Sequence, residues 1–353
     1  MSRTRTITPS QTLFASTNAT GTQTVVQLHR IQSANHSHST KRTPVTVYGQ
    51  QAPIDQVILE PSDVSLDFSY LLTNVLNEKN LGFNYDGSAQ SISGFLTKST
   101  DERNYFLLSA PEGEDAVGGD TTAASNVVWG FGNGFISSYQ VDLAVGSFPT
   151  ASVTVQALNP VCYNNSTGQA TPAINPILGT RITGKNFTLP ASTSGVVGQA
   201  SALRPGDVFF ELTSPLLGVD LDDAKIQNAK ISVDLGREPL NKLGSHFPFS
   251  REIQYPINIS VSIDANVGEL TTGSLTDILC NDSSYDLAFG VKRPACDNNG
   301  EVVVRYDIRG AKWDSSQYKT QLGSSESVSL QFTAQIGGPR DLDKGLFISG
   351  VLD

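Results

Sequence analysis

The chain has 353 residues, of which 38% are hydrophobic and only 16% charged, and its formal net charge is −10. That length suffices for two ordinary domains, and the charge excludes a nucleic-acid binder that works by neutralising phosphates, because like charges repel. A single Met and few long charged side chains argue against a helical bundle and leave a β-rich chain with a Ser, Thr, Asn and Gln surface.

Residues 1–20 are polar and read as an N-terminal arm. No apolar run approaches the ~20 residues that cross a bilayer. The stretch Met1 to Pro9 has no apolar core and is not expected to be a signal peptide. Thr22 to Leu28 and Thr43 to Tyr48 have strand character, with a polar turn expected at His36 to Lys41. Val57 to Leu72 alternates with period two, as a half-buried strand does. Short helices are expected at Ser88 to Leu96 and at Gly273 to Leu279, where Leu275, Ile278 and Leu279 share a helical face.

Asn104 to Leu108 reads as a strand, followed by an acidic loop from Ala110 to Ala124 that carries Glu112, Glu114, Asp115 and Asp120. Phe135 to Gly146 and Ala151 to Leu158 read as a strand pair joined through Gly146-Ser-Phe-Pro149. Asn164 to Ala202 is rich in Asn, Thr, Ser, Gly and Pro, as a linker or surface insertion is. Further strands are expected at Glu301 to Lys312, Gln317 to Leu322 and Ser327 to Ile336. The C-terminal run Gly345 to Leu352 is apolar, so it is expected to be buried in the fold or against a neighbour.

The chain carries what reads as one module twice. Ile31-Gln-Ser-Ala34 recurs as Ile226-Gln-Asn-Ala229, 195 residues later. At the same offset Arg42 matches Arg237, Pro44 matches Pro239, Gly49 matches Gly244, Ile58 matches Ile253 and Pro61 matches Pro256. Tyr105 to Leu108 is aligned with Tyr285 to Ala288, and Ser138, Gln140, Gly146 and Ser152 match Ser315, Gln317, Gly323 and Ser329. The matches keep their order and their alternation phase, which chance identity in a Ser- and Gly-rich chain would not. Duplication without a catalytic motif points to assembly rather than chemistry. Each copy is expected to be mostly antiparallel β-structure with one short helix.

Chemistry-bearing motifs are scarce. His36-x-His38 reads as a pair of polar turn residues, since a metal site needs further ligands. Gly130-Phe-Gly-Asn-Gly134 lacks the following helix of a dinucleotide site and reads as a hairpin tip or bulged strand. Asp220, Asp222 and Asp223, like Asp341 and Asp343, read as solvated turns, because the spacing of a calcium loop is absent. Cys162, Cys280 and Cys296 are expected to be free thiols. No catalytic, cofactor-binding or metal-binding residue is assigned, and the chain is not expected to be an enzyme.

Two stretches resemble a known family. Tyr139-Gln-Val-Asp-Leu-Ala-Val-Gly146-Ser-Phe-Pro149-Thr-Ala-Ser-Val153, and Tyr306-Asp-Ile-Arg-Gly310-Ala-Lys-Trp313 with Gln335-Ile-Gly-Gly-Pro339, are similar to the C-terminal hairpins of tailed-bacteriophage tail tube proteins, or major tail proteins. Phe249 to Ile253 and on to Leu270 has the same character. The likeness covers most of residues 200–353 and, more weakly, 125–160.

The resemblance implies a mainly β fold of two tandem β-sandwich or partial-barrel domains related by duplication, each with one short helix. The divisions are an arm at 1–20, a first tube-like domain at 21–163, a linker or insertion at 164–202 and a second tube-like domain at 203–353. It further implies a virion protein, made in the host cell cytoplasm and placed in the viral tail. Such a protein would form homotrimeric pseudo-sixfold rings that stack into a DNA-conducting tube and contact neighbouring tail proteins. It would need no cofactor, bind passing DNA without sequence preference and span no membrane. Alternatives are another phage particle component on the same fold, in the baseplate or decorating the head, and a carbohydrate-binding β-sandwich protein.

Overall fold

The computed structural model describes residues 6–18, 24–85, 92, 102–165, 167–194, 202–212, 225–266, 284–294, 300–319, 327–338 and 340–352. The first half contains β1 (Thr6–Ser16), β2 (Val25–Leu28), β3 (Ile31–Ser39), β4 (Arg42–Val45), β5 (Asp55–Ile58) and β6 (Asp63–Leu71). After helix α1 (Leu76–Leu81) come β7 (Arg103–Pro111), β8 (Val127–Ala144), β9 (Thr150–Ala157) and β10 (Asn159–Tyr163). Four short strands follow: β11 (Thr167–Ala170), β12 (Ile174–Asn175), β13 (Thr180–Arg181) and β14 (Asn186–Thr188). The second half contains β15 (Val208–Leu212), β16 (Lys225–Asp234), β17 (Arg237–Leu240), β18 (Ser250–Ile253) and β19 (Ile257–Asn266). It ends with β20 (Tyr285–Lys292), β21 (Val302–Lys319), β22 (Ser327–Ile336) and β23 (Gly345–Gly350).

The fold is mainly β, as its composition implies. One antiparallel sheet runs β3–β6–β9–β8–β16–β19–β22–β21. It passes from the first half to the second at β8–β16, where Gln140 faces Ser232 and Asp142 faces Lys230. A second layer, β2–β1–β7–β8–β10, covers it in the first half. The layer β15–β20–β21–β23 does so in the second. The 18-residue strands β8 and β21 belong to both layers, each bending at a register shift, between Ile136 and Ser138 and between Trp313 and Ser315. A bulge lets one long strand turn from one sheet into another.

Period-two alternation builds the core. Val64, Leu66, Phe68 and Tyr70 of β6, and Ile257, Ile259, Val261 and Ile263 of β19, point inward and are buried. Each such side chain contributes roughly 1.5–3 kcal/mol relative to exposure. The apolar Leu346, Phe347 and Ile348 of the C-terminal run are buried in β23 within this fold.

The two halves share one pairing pattern. Arg42 lies opposite Ile58, and Arg237, 195 positions later, lies opposite Ile253. Ala34 faces Phe68 as Ala229 faces Ile263, and both ladders slip at the same place, after Ile31 and after Ile226. Ile136 faces Val155 as Trp313 faces Phe332.

Several sequence expectations change. Residues 6–16, expected in a polar arm, form a strand whose Leu13, Phe14 and Ala15 are buried, because three consecutive apolar residues find cover between β2 and β7. His36 and His38 lie in β3, not in a turn. Val57 to Leu72 breaks at Pro61 into β5 and β6, which join different partners. Glu301 to Lys312 and Gln317 onward merge into the single strand β21, with Gly310 at φ +69 inside it. Register places Leu287 where Tyr105 stands, since Tyr105 faces Phe131 and Leu287 faces Ile308; the alignment on Tyr285 was two residues out, a shift that preserves the inward face.

The two expected helices, Ile92 aside, lie outside the described residues. The helix found, α1, begins after Asn74, whose side chain accepts the Leu76 N–H, and ends at Gly82 in the left-handed region. The described part of 164–194 is a docked insertion. Phe187 stacks on Phe106 at 4.2 Å between ring centres and closes a second small core with Tyr163 and Leu189.

Candidate functional site

The face of the long sheet opposite the core is a broad carpet of small polar side chains. Because strands alternate, every buried residue of β6, β9, β16, β19 and β22, and of β8 from Ser138 onward, is flanked by one that points to this face. On β6 these are Ser65, Asp67 and Ser69, and on β9 they are Thr150, Ser152 and Thr154. On β8 and β16 they are Ser138, Gln140 and Asp142, with Lys230, Ser232 and Asp234. On β19 and β22 they include Ser260, Ser262 and Asp264, with Ser329, Gln331 and Thr333. Cross-strand hydrogen bonds tie the carpet down. The Ser33 and Ser69 hydroxyls lie 2.7 Å apart, those of Ser37 and Ser65 2.9 Å, and Gln331 donates to Ser262 at 2.7 Å. Thr333 donates to Asp314.

Charge on this face is sparse and of both signs. Asp67, Asp142, Asp234 and Asp264 punctuate it, Lys230 stands directly across from Asp142, and Lys225 and Lys312 face Asn266 and Thr333. Such a surface presents short hydroxyls and carboxylates to solvent. Its lysines are scattered among carboxylates and hydroxyls and form no continuous row that would hold phosphate oxygens.

The hairpin β17–β18 lies over one end of the first half. The Arg237 guanidinium sits 4.1 Å from the centre of the Phe135 ring. Arg251 donates to the main-chain carbonyls of Gln156 at 3.0 Å and Ala157 at 3.3 Å, and burial pulls its pKa down to about 10. Its counterpart β4–β5 has no such cover, and all eight of its residues are exposed.

The residues weighed as ligands in the sequence do not gather. His36 packs its ring against Trp129 at 4.9 Å and Phe131 at 5.3 Å. Burial first, then the neighbouring His38, lowers its pKa. The Asp341 carboxylate accepts the N–H groups of Asp343 and Lys344, a self-contained turn. Asp220, Asp222 and Asp223, with Cys280 and Cys296, lie outside the described residues, and Cys162 is an exposed free thiol. Among the described residues, no group of three or more His, Cys, Asp or Glu side chains could hold a metal ion. Among them also, no helix is long and apolar enough to cross a membrane.

The Gly130 to Gly134 run is a bulged strand inside β8. Asn133, at φ +54, exchanges hydrogen bonds with the backbone of Ile174 and pins the insertion to the sheet. A Cβ at Gly132 would fall 2.4 Å from the Pro172 carbonyl oxygen, so only glycine fits that approach.

Sequence reasoning missed the carpet as a site, although its signal was present. The repeated small-polar alternation Ser65, Asp67, Ser69 and Ser260, Ser262, Asp264 marks one uniform face in both halves.

No family model matches the sequence, and no curated protein matches it. Among solved structures, the chain is similar to one in the "Cryo-EM structure of the anti-feeding prophage (AFP) baseplate, 6-fold symmetrised", with 14% identity, 41% of this chain and 91% of that chain covered, and a TM-score of 0.27.

Proposed function

We propose that the chain is a non-enzymatic structural protein of a tailed-phage particle, and specifically a tail tube subunit whose two halves are copies of one module. In this reading each half fills one place in a ring, three chains make a pseudo-sixfold ring, and rings stack into a tube. The polar carpet faces the lumen and lets DNA slide.

One observation carries the reading. The halves join edge to edge at β8–β16, while among the described residues β3 pairs only with β6, and the last part of β21 pairs only with β22. β3 and that part of β21 are the repeat counterparts of β16 and β8. The chain therefore holds one joint formed and the two matching edges of another. Exposed edges of this kind attract further strands, and closed symmetry removes them. The tail tube resemblance and the hydroxyl-rich face without a continuous basic row support the same assignment.

Negative-stain microscopy and light scattering of the concentrated protein test it. Hollow rings or cylinders built from trimers are expected. Monomers that stay discrete even with tail-initiating factors overturn the reading. Single rings that never stack point instead to a baseplate or head component.

A further inference from the structure

Two equivalent hairpins stand in unequal surroundings. β4–β5 and β17–β18 have the same register, residue for residue. Ile253 is half-buried against the main core, whereas Ile58, its counterpart, is 47% exposed. Val45 is exposed as well, where its counterpart Leu240 is half-buried, while the hairpin tips are alike, Tyr48 and Ile54 being exposed as Leu243 and Phe249 are. The difference therefore lies on the paired strands, at Val45 and Ile58, where the covered hairpin meets the sheet. The difference has a structural cause. The hairpin β17–β18 follows β16, which pairs with β8, and that joint brings it over β8 and β9. The hairpin β4–β5 follows β3, whose outer edge has no strand beside it among the described residues.

We infer that the β3 edge and the β4–β5 hairpin of one copy seat on β21 and β22 of a second copy, in the register the chain already uses at β8–β16. The inference rests on reading the halves as copies of one module. Transposing that register places Ser37 opposite Gln317, as Ser232 lies opposite Gln140, and Ser39 opposite Ser315, as Asp234 lies opposite Ser138. The first pair is Ser–Gln in both joints. Gln56 takes the place of Arg251, and its amide N–H groups donate to the backbone carbonyls of Thr333 and Ala334, the counterparts of Gln156 and Ala157. Arg42 comes over Lys312 where Arg237 has Phe135, so a like-charge pair replaces the cation–aromatic contact and strand pairing has to outweigh that repulsion. The interface is head to tail, which gives a ring where its rotation closes and a filament where it does not.

Cysteine pairs test the register. Directly opposed Cα atoms fall within the roughly 4.4–6.8 Å that a disulfide spans. The full chain carrying Ser37→Cys with Gln317→Cys, under mild oxidation, should give reducible dimer and trimer bands on denaturing gels. These bands should exceed at least fivefold those of either single variant, and of the offset pair Ser37→Cys with Ser315→Cys. Hydrogen exchange on the unmodified protein gives a second reading, with amides 33–39 and 55–58 gaining protection on assembly.

Tubes or rings that form without the in-register cross-link, or with the offset pair favoured, overturn this joint and leave the tube reading standing. Cross-linked closed trimers that never stack support the joint and overturn the tube reading. Protection of 33–39 unchanged by assembly also overturns the joint. A chain that remains monomeric at high concentration overturns both.

Discussion

The Tyr139 hydroxyl lies 3.0 Å from the Tyr306 hydroxyl, and the two residues belong to different halves of the chain. Tyr139 donates to Glu78 Oε1 at 3.1 Å, and Tyr70 donates to the same oxygen at 2.7 Å. All four side chains are buried. One carboxyl group on α1 thus gathers phenols from β6, β8 and β21. Burial raises the pKa of Glu78 and raises those of the three tyrosines well above the ordinary phenol range. A buried network of this kind ties the two halves together, because removing one member leaves the others without partners, and Glu78 Oε2 already has no hydrogen-bond partner among the described residues.

The raised pKa of Glu78 makes stability depend on pH. The folded-state value lies above the unfolded value of about 4.3. The stabilising contribution is therefore fully present below that pH and is lost as pH climbs through the folded value. Urea denaturation from acid to neutral pH should show this decline in the stability of the wild-type chain relative to Glu78→Gln, since the lowered pKa values of His29, His36 and Asp120 act with the opposite sign in both. Glu78→Ala should cost about 1–3 kcal/mol, because the tyrosine hydroxyls lose their acceptor. A difference between wild type and Glu78→Gln that rises over the same interval contradicts the assignment.

Alternation along β19 and β22 makes a contrast that point mutants can read. Phe332→Ala removes a buried ring and should cost roughly 3–5 kcal/mol. Ser260→Ala on the opposite face should stay within about 0.5 kcal/mol. Denaturant midpoints of the two variants check the pair, and equal losses count against the burial assignment.

The polar face should repel nucleic acid as it stands and bind it once made basic. Ser152→Lys and Ser329→Lys occupy equivalent places on β9 and β22. Fluorescence anisotropy with a short labelled duplex at low salt should detect no binding by the wild type and clear binding by the double variant. The slope of log affinity against log salt should steepen by about 0.9 for each phosphate neutralised. Wild-type binding as tight as the variant's argues against a conduit.

Ile58 and Ile253 should separate folding from assembly. Ile253→Ala opens a gap in a half-buried contact and should lower monomer stability by on the order of 1–2 kcal/mol. Ile58→Ala should leave monomer stability within about 0.5 kcal/mol and raise the concentration needed for assembly. Denaturation and sedimentation measured together distinguish the two effects.

Much of this architecture is legible in particular residues. Val64, Leu66 and Phe68 announce a half-buried strand, and Ile259, Val261 and Ile263 announce its twin. The offset of 195 from Arg42 to Arg237 matches the strand register of the two hairpins, whose turns between the paired strands are equally long. The composition of 164–202 reads as a linker or surface insertion, and it gives no sign that Phe187 packs on Phe106. The helix at Leu76–Leu81 escaped notice because six residues hold too few turns to show a period.

The sequence alone determined which side of β6, β9, β19 and β22 is buried. Alternation is a local property, written residue by residue, and it marks the polar face as plainly as the core. Only the tertiary structure decided which edges meet. Nothing in Ser232 or Gln140 names the other as a partner, because strand pairing is made by backbone groups that every residue carries. For the same reason sequence alone could not separate the covered hairpin from its exposed twin. Their strands and register agree, and they differ only in that β16 has found β8 while β3 has an open edge among the described residues.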